Sequence, residues 1–212
     1  SARTAPSGAY YYVLLRSTSK IVPCESVVTD VDHPLLLLEE ALSRVAMKVI
    51  EIVTPNDFVC EGVCTVKSSC GVSISEDGFA LLQVFRSIQP TSPSGYITLN
   101  ATAIHEGVSS EPTLQKVCVP PDLRTYDVFL MEATCATGVG ACVAIQALLD
   151  FGAQEGSIHF VCLLASAFAV SEICSRYPAV HVVTGAVDPE VSDADALCPG
   201  FGNFSERYYN AT

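Results

Sequence analysis

The sequence predicts an α/β fold in which a parallel β-sheet is flanked by α-helices. Beyond residue 125, short apolar segments typical of buried strands alternate with helical segments of about ten residues. Strands joined through helices run parallel, because each crossover returns the chain to the same edge of the sheet. The 212 residues, of which 50% are hydrophobic, suffice for one core. We predict a single domain, residues 1–212, with an N-terminal extension at 1–12 and a β-arm at 96–119.

The N-terminal half is predicted to begin with a helix over residues 34–53, which Pro55 ends. Its apolar residues recur at helical spacing: Leu38, Leu42, Val45, Val49 and Ile52. Bursts of β-branched and cysteine residues at 57–74 indicate short strands, and residues 78–85 indicate a further helix. Turn residues near the middle of 96–119 make this segment a predicted hairpin.

The C-terminal half is predicted to alternate regularly between strands and helices. The predicted elements are strand 127–131, helix 140–149, strand 158–164, helix 167–177 and strand 180–184. Gly152 follows the first of these helices, and Pro178 ends the second. His159 and His181 fall inside the last two strands, where we expect packing or hydrogen-bonding roles.

Charge restricts the possible ligands. The net charge is −12, from 23 acidic and 11 basic residues, and only Arg176 and Arg207 are basic beyond residue 125. Such a chain repels polyanions, so we expect no broad nucleic-acid-binding face. No apolar run approaches the roughly 20 residues of a membrane-spanning helix, so we also expect no direct membrane span.

The ten cysteines allow more than one interpretation. Several fall in apolar elements, such as Cys142, Cys162 and Cys174, where free cysteine behaves as a small hydrophobic residue. We therefore expect reduced, buried thiols; a secreted, disulfide-bonded module is the alternative. Cys60 and Cys64 lack a second pair with zinc-site spacing, so no metal site is predicted.

The segment Glu132–Gly140 is the strongest local candidate for a binding site. A buried strand leads into a turn of small residues and then into a helix, and the turn and its flanks comprise Glu132, Ala136, Thr137, Gly138, Val139 and Gly140. Small residues let the backbone approach a ligand, and the helix N-terminus attracts anions such as phosphate. We expect Glu132 at the strand end, where it could accept hydrogen bonds from ribose hydroxyls. A tight turn without ligand explains the same residues.

The last third of the chain resembles the uracil phosphoribosyltransferase family. That family has a strand ending in D-P-M-L-A-T-G-G, where this chain has Glu132-Ala-Thr-Cys-Ala-Thr-Gly-Val139. The family's Y-I-x-P-G-L-G-D-x-G-D-R segment is similar to Ala196-Leu-Cys-Pro-Gly-Phe-Gly-Asn-Phe-Ser-Glu-Arg207. The resemblance covers residues 126–212, and residues 37–54 are similar to the family's early helix.

This resemblance implies a type I phosphoribosyltransferase-like fold and a reaction. Family members join uracil to phosphoribosyl pyrophosphate, with Mg²⁺, to give uridine monophosphate. The turn would hold the ribose 5-phosphate, and Leu197, Gly202 and Phe204 would correspond to the loop that reads uracil. Family members form dimers or higher oligomers through an arm.

The departures from the family fall on residues that would carry the chemistry. The family holds pyrophosphate with an arginine in I-L-R-A-G, where this chain has Ile74-Ser-Glu-Asp-Gly78, so Glu76 replaces that arginine. A second family arginine aligns with His105, and the magnesium-linked loop aspartate aligns with Asn203. The small-residue turn and the loop glycines are retained, but the fold needs them for its own geometry.

These departures favour a catalytically inactive family member that acts as a structural or assembly subunit. We expect protein partners in a homo- or hetero-oligomeric complex, and no cofactor. An active uracil phosphoribosyltransferase of pyrimidine salvage, with Mg²⁺, and a nucleotide-binding regulator are the alternatives. Phosphoribosyl pyrophosphate or a nucleotide is a ligand only if the site is retained. We expect an intracellular protein; if the start at Ser1 results from removal of a transit peptide, its location is the mitochondrial matrix.

Overall fold

An eight-stranded sheet forms the centre of the molecule. The computed structural model describes residues 2–4, 10–13, 32–100, 104–105, 108–109, 112–192 and 195–209. With strands numbered in chain order, the sheet runs β1 (Ala2–Thr4), β2 (Tyr10–Val13), β12 (His181–Asp188), β11 (Ile158–Ser166), β10 (Tyr126–Cys135), β5 (Ser68–Ile74), β6 (Ser94–Asn100) and β9 (Thr113–Cys118). Strands β2, β12, β11, β10, β5 and β6 are parallel, whereas β1 and β9 pair antiparallel at the two ends.

Helices cover both faces of the sheet, as the sequence predicted. On one face lie α1 (Asp32–Leu42) and α2 (Phe79–Ile88); on the other lie α3 (Val139–Asp150) and α4 (Ala167–Arg176). Side chains of β10 alternate between the two layers, because successive residues of a strand point to opposite faces. Val128 and Leu130 pack against α3 and α4, while Phe129 and Met131 pack against α1 and α2. The predicted α/β fold is confirmed.

The predicted helix over residues 34–53 is wrong in its second half. Helix α1 ends at Leu42, and Met47–Val53 forms strand β3, which pairs antiparallel with β4 (Val59–Thr65). Apolar residues on both faces of an exposed hairpin, such as Val49 and Ile52, can imitate a helical spacing by chance over a short window. The β-branched residues from Val49 onward favour the extended state, and a turn that contains Pro55 returns the chain.

The β3–β4 hairpin projects from the body of the fold with exposed apolar side chains. On one face its cross-strand neighbours are Val49 with Val63 and Val53 with Val59, each of them 64–68% exposed. Phe58, in the turn, is 72% exposed. The same face places Glu51 opposite Glu61, and like charges in such a pair are destabilising.

The predicted hairpin at 96–119 is confirmed by the antiparallel pairing of β6 with β9. A smaller ladder, β7 (Ile104–His105) with β8 (Val108–Ser109), continues beyond their ends. Much of the connecting segment between residues 100 and 112 lies outside the described residues. Elsewhere, β13 (Glu190–Val191) pairs with β14 (Leu197–Cys198), and α5 (Phe204–Tyr208) closes the described C-terminus.

Of the nine cysteines that the structure describes, five are buried, in agreement with the prediction for Cys142, Cys162 and Cys174. Burial raises the pKa of the Cys70 and Cys162 thiols to about 12. These thiols are therefore protonated at neutral pH and are poor nucleophiles. Among the helices of the described residues, none has the length and apolar character needed to cross a membrane.

Candidate functional site

The small-residue turn stands at the carboxyl edge of the sheet, between β10 and α3. Gly138 adopts a left-handed conformation with φ of 77°, and a Cβ at this position would lie 3.0 Å from the backbone oxygen of Ala169. Thr137 turns its hydroxyl back to accept a hydrogen bond of 3.4 Å from the Val139 N–H. The first N–H groups of α3 lack partners within the helix, so the turn keeps the geometry of an anion site.

Ser166, which the sequence analysis did not identify, braces this turn. Its hydroxyl donates to the Ala136 carbonyl and accepts a 2.8 Å hydrogen bond from the Ala169 N–H. The second contact caps the N-terminus of α4. A serine between a buried strand and a helix is a recognisable capping signal, and it could have been found in the sequence.

Two adjacent cavities contain several of the predicted site residues, whereas Thr137, Gly138 and Val139 line neither of them. The first, which we call the acidic cleft, has a volume of about 630 Å³ and contains Glu76, Glu132 and Gly140. The second, which we call the loop cavity, has a volume of about 400 Å³. It is lined by Ala136 from the turn and by the C-terminal loop residues Leu197, Gly202, Asn203 and Phe204. The turn therefore touches both cavities.

Asp77 lines both cavities and accepts a hydrogen bond from Ser205 in α5, directly after the C-terminal loop. A second carboxylate, Asp188, holds the same loop by accepting a 2.9 Å hydrogen bond from the Gly200 N–H. Gly200 has φ of 60°, and a Cβ there would lie 2.4 Å from the Leu197 carbonyl oxygen. Two acidic side chains therefore hold this region in place: Asp188 contacts the loop itself, and Asp77 contacts the helix that follows it.

The walls of the acidic cleft are carboxylates and aromatic rings. Phe79 and Tyr96 form a tilted ring pair with centroids 6.5 Å apart, and Lys116 places its Nζ 5.2 Å from the Tyr96 centroid. A hydrogen bond with Tyr96 raises the pKa of Lys116. Among the described residues that line the acidic cleft or the loop cavity, none is basic. The charge of both cavities therefore disfavours a polyanionic ligand.

Glu132 lies inside β10 and not at its end, because the strand continues to Cys135. Burial, followed by the negative charge of Asp77, raises the pKa of the Glu132 carboxyl to about 8. At neutral pH this carboxyl is therefore mainly protonated and can donate a hydrogen bond as well as accept one.

Replacing Glu132 by glutamine is expected to remove a pH-dependent loss of stability. A folded-state pKa of about 8, against 4.5 in the unfolded chain, means that ionisation is less favourable in the folded state. Protonated Glu132 therefore contributes its full stabilisation at pH values below the unfolded-state pKa of 4.5. This contribution is lost as the pH rises through the folded-state pKa of about 8. After discounting for water in the open cleft, we expect wild type to lose about 1–3 kcal/mol relative to Glu132→Gln across this range.

Urea denaturation at pH values on either side of this window measures the effect. Glu39→Gln, at an exposed position of α1, removes the same charge and serves as the control. Parallel pH profiles for wild type and Glu132→Gln would contradict the assignment.

The three predicted departures from the family have different surroundings. Glu76 is exposed on the wall of the acidic cleft. Asn203 caps α5, because its side-chain oxygen accepts a 3.2 Å hydrogen bond from the Glu206 N–H. His105 belongs to β7, and its side chain lies outside the described part of the chain.

An active family member would need magnesium, and the described residues can be compared with the ligands that this ion requires. Within the described residues, no group of three or more histidine, cysteine, aspartate or glutamate side chains is arranged to hold a metal ion. Glu132 is mainly protonated at neutral pH, and Asn203 caps a helix. Magnesium in such enzymes is commonly held by one or two carboxylates together with substrate phosphates. The residues present do not fit a metal cage built by the protein alone.

Comparison with known proteins agrees with this architecture. A family model described as Uracil phosphoribosyltransferase matches residues 23–211. Uridine-cytidine kinase-like 1 of Mus musculus is 31% identical over 175 residues, which cover 82% of this chain and 31% of that protein. Uracil phosphoribosyltransferase of Saccharomyces cerevisiae is 31% identical over 176 residues, which cover 82% of this chain and 79% of that protein.

The chain spans only about a third of the length of the uridine kinase-like relatives that it matches. Among solved structures, the AQ2163 protein from Aquifex aeolicus is similar, with a TM-score of 0.76 at 17% sequence identity. The match covers 95% of this chain and 99% of that chain. At this identity the likeness concerns the fold.

Proposed function

The chain belongs to the uracil phosphoribosyltransferase family, and we propose that it is a member that does not transfer phosphoribosyl groups and serves as a subunit of a larger assembly. One observation carries the first part of this proposal: the described residues lining the two cavities include no basic side chain, and Glu76 stands on the cleft wall. The family resemblance places an arginine at this position. Transfer from a pyrophosphate ester depends on stabilising the charge of the leaving group.

The loss of the family's arginines removes a free energy of transition-state or ligand binding that can be estimated. A hydrogen bond to a charged group contributes about 1.5–3 kcal/mol. Two missing arginine contacts, at Glu76 and His105, therefore remove about 3–6 kcal/mol, or two to four powers of ten in rate or affinity. The carboxylates of Glu76 and Asp77 add repulsion to this loss.

The second part of the proposal is supported by the β3–β4 hairpin. Its apolar side chains are exposed on a projecting element, and exposed apolar patches of this kind mark interaction surfaces. A partner that covers Val49 and Val63 would bury them, and a basic side chain of that partner would relieve the repulsion between Glu51 and Glu61. This surface fits a homo- or hetero-oligomeric complex.

The alternative is an active or nucleotide-binding member, and the retained turn supports it. Gly138 and the free N–H groups at the N-terminus of α3 would suit a phosphate, and the loop cavity, which Ala136 of the same turn lines, would leave room for the rest of a nucleotide. Such a member would bind phosphoribosyl pyrophosphate or uridine monophosphate and would gain thermal stability by mass action.

Titration calorimetry with phosphoribosyl pyrophosphate and Mg²⁺, followed by uracil in the same cell, separates these functions. We expect no saturable heat and no formation of labelled uridine monophosphate from protein that unfolds cooperatively. Saturable binding with turnover, abolished by Gly138→Asp, would establish an active enzyme and overturn the proposal. Binding of uridine monophosphate without turnover would establish the regulator.

Sedimentation velocity tests the assembly role. We expect the chain, alone or in lysate of cells that express it, to sediment as a species heavier than the 22.5 kDa monomer. Val63→Lys, on the hairpin face, should return it to the monomer. Gln83→Lys introduces the same charge at an exposed position of α2, away from the hairpin and the arm, and should have no effect. A chain that remains monomeric under both conditions would contradict the assembly role.

A further inference from the structure

The two faces of the β3–β4 hairpin differ in how far their side chains are covered. On one face, Ile52 and Cys60 are cross-strand neighbours, and Gly62 stands next to Cys60 on that side. The Ile52 side chain lies across Gly62, since a Cβ on this glycine would stand 2.2 Å from the Ile52 Cδ1. The hairpin therefore covers part of this face with its own side chains.

The other face, which we call the valine face, has no such cover. Its cross-strand pairs, in order along the hairpin, are Met47 with Thr65, Val49 with Val63, Glu51 with Glu61 and Val53 with Val59. The four valines are 64–68% exposed. Successive pairs stand about 7 Å apart, because a strand rises about 3.4 Å per residue. On the valine face, a pair of carboxylates therefore separates two pairs of exposed valines.

The valine face carries no positive charge of its own. Among residues 47–65, all of which the structure describes, Lys48 is the only basic residue, and it belongs to the opposite face. Glu51 and Glu61 are exposed to water in the free protein. A partner that covered the valines would remove this water, and burying an unpaired charge is strongly unfavourable. A partner of this face must therefore bring a positive charge to its centre.

A second copy of this chain does not meet that requirement. If two valine faces packed on each other about a two-fold axis at their centres, four carboxylates would come together. If one hairpin were shifted by one pair, each pair of glutamates would be buried against valines without a counter-charge. Glu51 and Glu61 therefore oppose self-association through this face, as charged side chains do on other exposed strands.

The dimensions of the valine face suit one α-helix. Its two strands lie about 4.8 Å apart, so with their side chains they are about as wide as a helix, whose diameter is about 10 Å. Helix residues four positions apart are separated by about 6 Å along the axis, close to the spacing of about 7 Å between successive pairs of the hairpin. A helix with apolar, basic and apolar side chains at positions i, i+4 and i+8 would place its positive charge over the two glutamates.

We propose that the valine face docks an amphipathic helix of a different protein, in which a lysine or arginine stands between apolar side chains. This inference rests on the assembly role proposed above and specifies the partner surface for that role. The apolar side chains of the helix would cover the two valine pairs. Its basic side chain would lie between Glu51 and Glu61, where it replaces the lost water and neutralises the repulsion between them.

Sedimentation of the purified chain tests whether the partner is a different protein. We expect purified wild type to sediment as the 22.5 kDa monomer, and a heavier species to form only in lysate. A purified wild-type dimer that Val63→Lys dissociates would overturn the inference, because a second copy would then cover the valine face, yet it would leave the assembly role intact. A chain that is monomeric in lysate as well would contradict the assembly role itself.

Two synthetic helical peptides test the charge that the partner must carry. Both have leucine at positions i and i+8 of one face, and they differ only at i+4, which is lysine in one peptide and glutamate in the other. Binding is measured by fluorescence anisotropy at physiological ionic strength, which screens distant charges. We expect wild type to bind the lysine peptide at least about tenfold more tightly, equivalent to about 1.4 kcal/mol.

Two charge-reversal variants locate the binding surface. Glu61→Lys should fold, because the introduced side chain stands opposite Glu51 and attracts it, and it should abolish the preference for the lysine peptide. Glu39→Lys, at an exposed position of α1, changes the net charge equally and should keep the preference. Equal affinity of wild type for both peptides, no saturable binding of either, or the same preference in wild type and Glu61→Lys would overturn the inference.

Discussion

Alanine at Gly78 is expected to reduce the free energy of unfolding by about 3 kcal/mol or more, which is the upper end of the usual cost of overpacking. A Cβ at this position would lie 2.3 Å from the Met131 carbonyl oxygen, 2.8 Å from the Ile74 carbonyl oxygen and 2.9 Å from the Ile74 nitrogen. All three atoms belong to the backbone of the central strands, so no side-chain rotation relieves the contact.

The consequence reaches the acidic cleft, because Gly78 directly follows Glu76 and Asp77 and begins α2. Its N–H donates to Ile74 at 3.2 Å, and its carbonyl accepts from Leu82 at 3.0 Å. Displacement of this residue therefore displaces the segment that carries the two carboxylates.

Guanidinium denaturation of Gly78→Ala against wild type measures this effect. Gly156→Ala is a matched control, because a Cβ there meets no atom within 4 Å, and we expect a change within about 0.5 kcal/mol. A Gly78→Ala protein within about 1 kcal/mol of wild type would show that the strands yield more easily than close packing implies.

Arginine at Glu76 is expected to raise the affinity of the acidic cleft for magnesium pyrophosphate by roughly ten- to a hundredfold. The substitution removes a negative charge from the wall and adds a donor that binds phosphate oxygens in a bidentate manner. One hydrogen bond to a charged group contributes about 1.5–3 kcal/mol, and each 1.36 kcal/mol corresponds to a factor of ten.

Calorimetry with pyrophosphate, and then with phosphoribosyl pyrophosphate, measures this gain. Glu51→Arg makes the same change of charge on the β3–β4 hairpin and controls for the net charge of −12. If both variants bind equally well, or neither exceeds wild type, Glu76 is not what keeps pyrophosphate out of the cleft.

The C-terminal half was predictable because its signals agree with one another. The buried strands are largely apolar runs, and Gly152 and Pro178 follow the ends of helices. The apolar pattern and the helix-ending residues therefore predict the same elements. Residues 43–53 carry conflicting signals, since an apolar spacing of three or four fits a helix while β-branched residues favour a strand. Residues 47–53 form a strand because they pair with Val59–Thr65, and this pairing cannot be read from the spacing of residues in the sequence.

The sequence predicts candidate residues for the site but not their arrangement. The turn residues and the loop residues are each local in sequence, so local motifs suffice to name them as candidates. Their division between two cavities, and the contact between Asp77 and Ser205, depend on packing across 128 positions of the chain. The same holds for Asp127, His159 and His181, which each stand near the start of a strand and are brought together by the parallel register of β10, β11 and β12.

The position of Asp77 links the acidic cleft to the loop cavity thermodynamically. A cationic group that entered the acidic cleft would compete with Ser205 for this carboxylate and would weaken the contact that holds α5. Any free energy by which a ligand in one cavity changed affinity in the other would appear with the same magnitude in reverse. Two ligands that occupied these cavities would therefore be coupled through this one shared side chain.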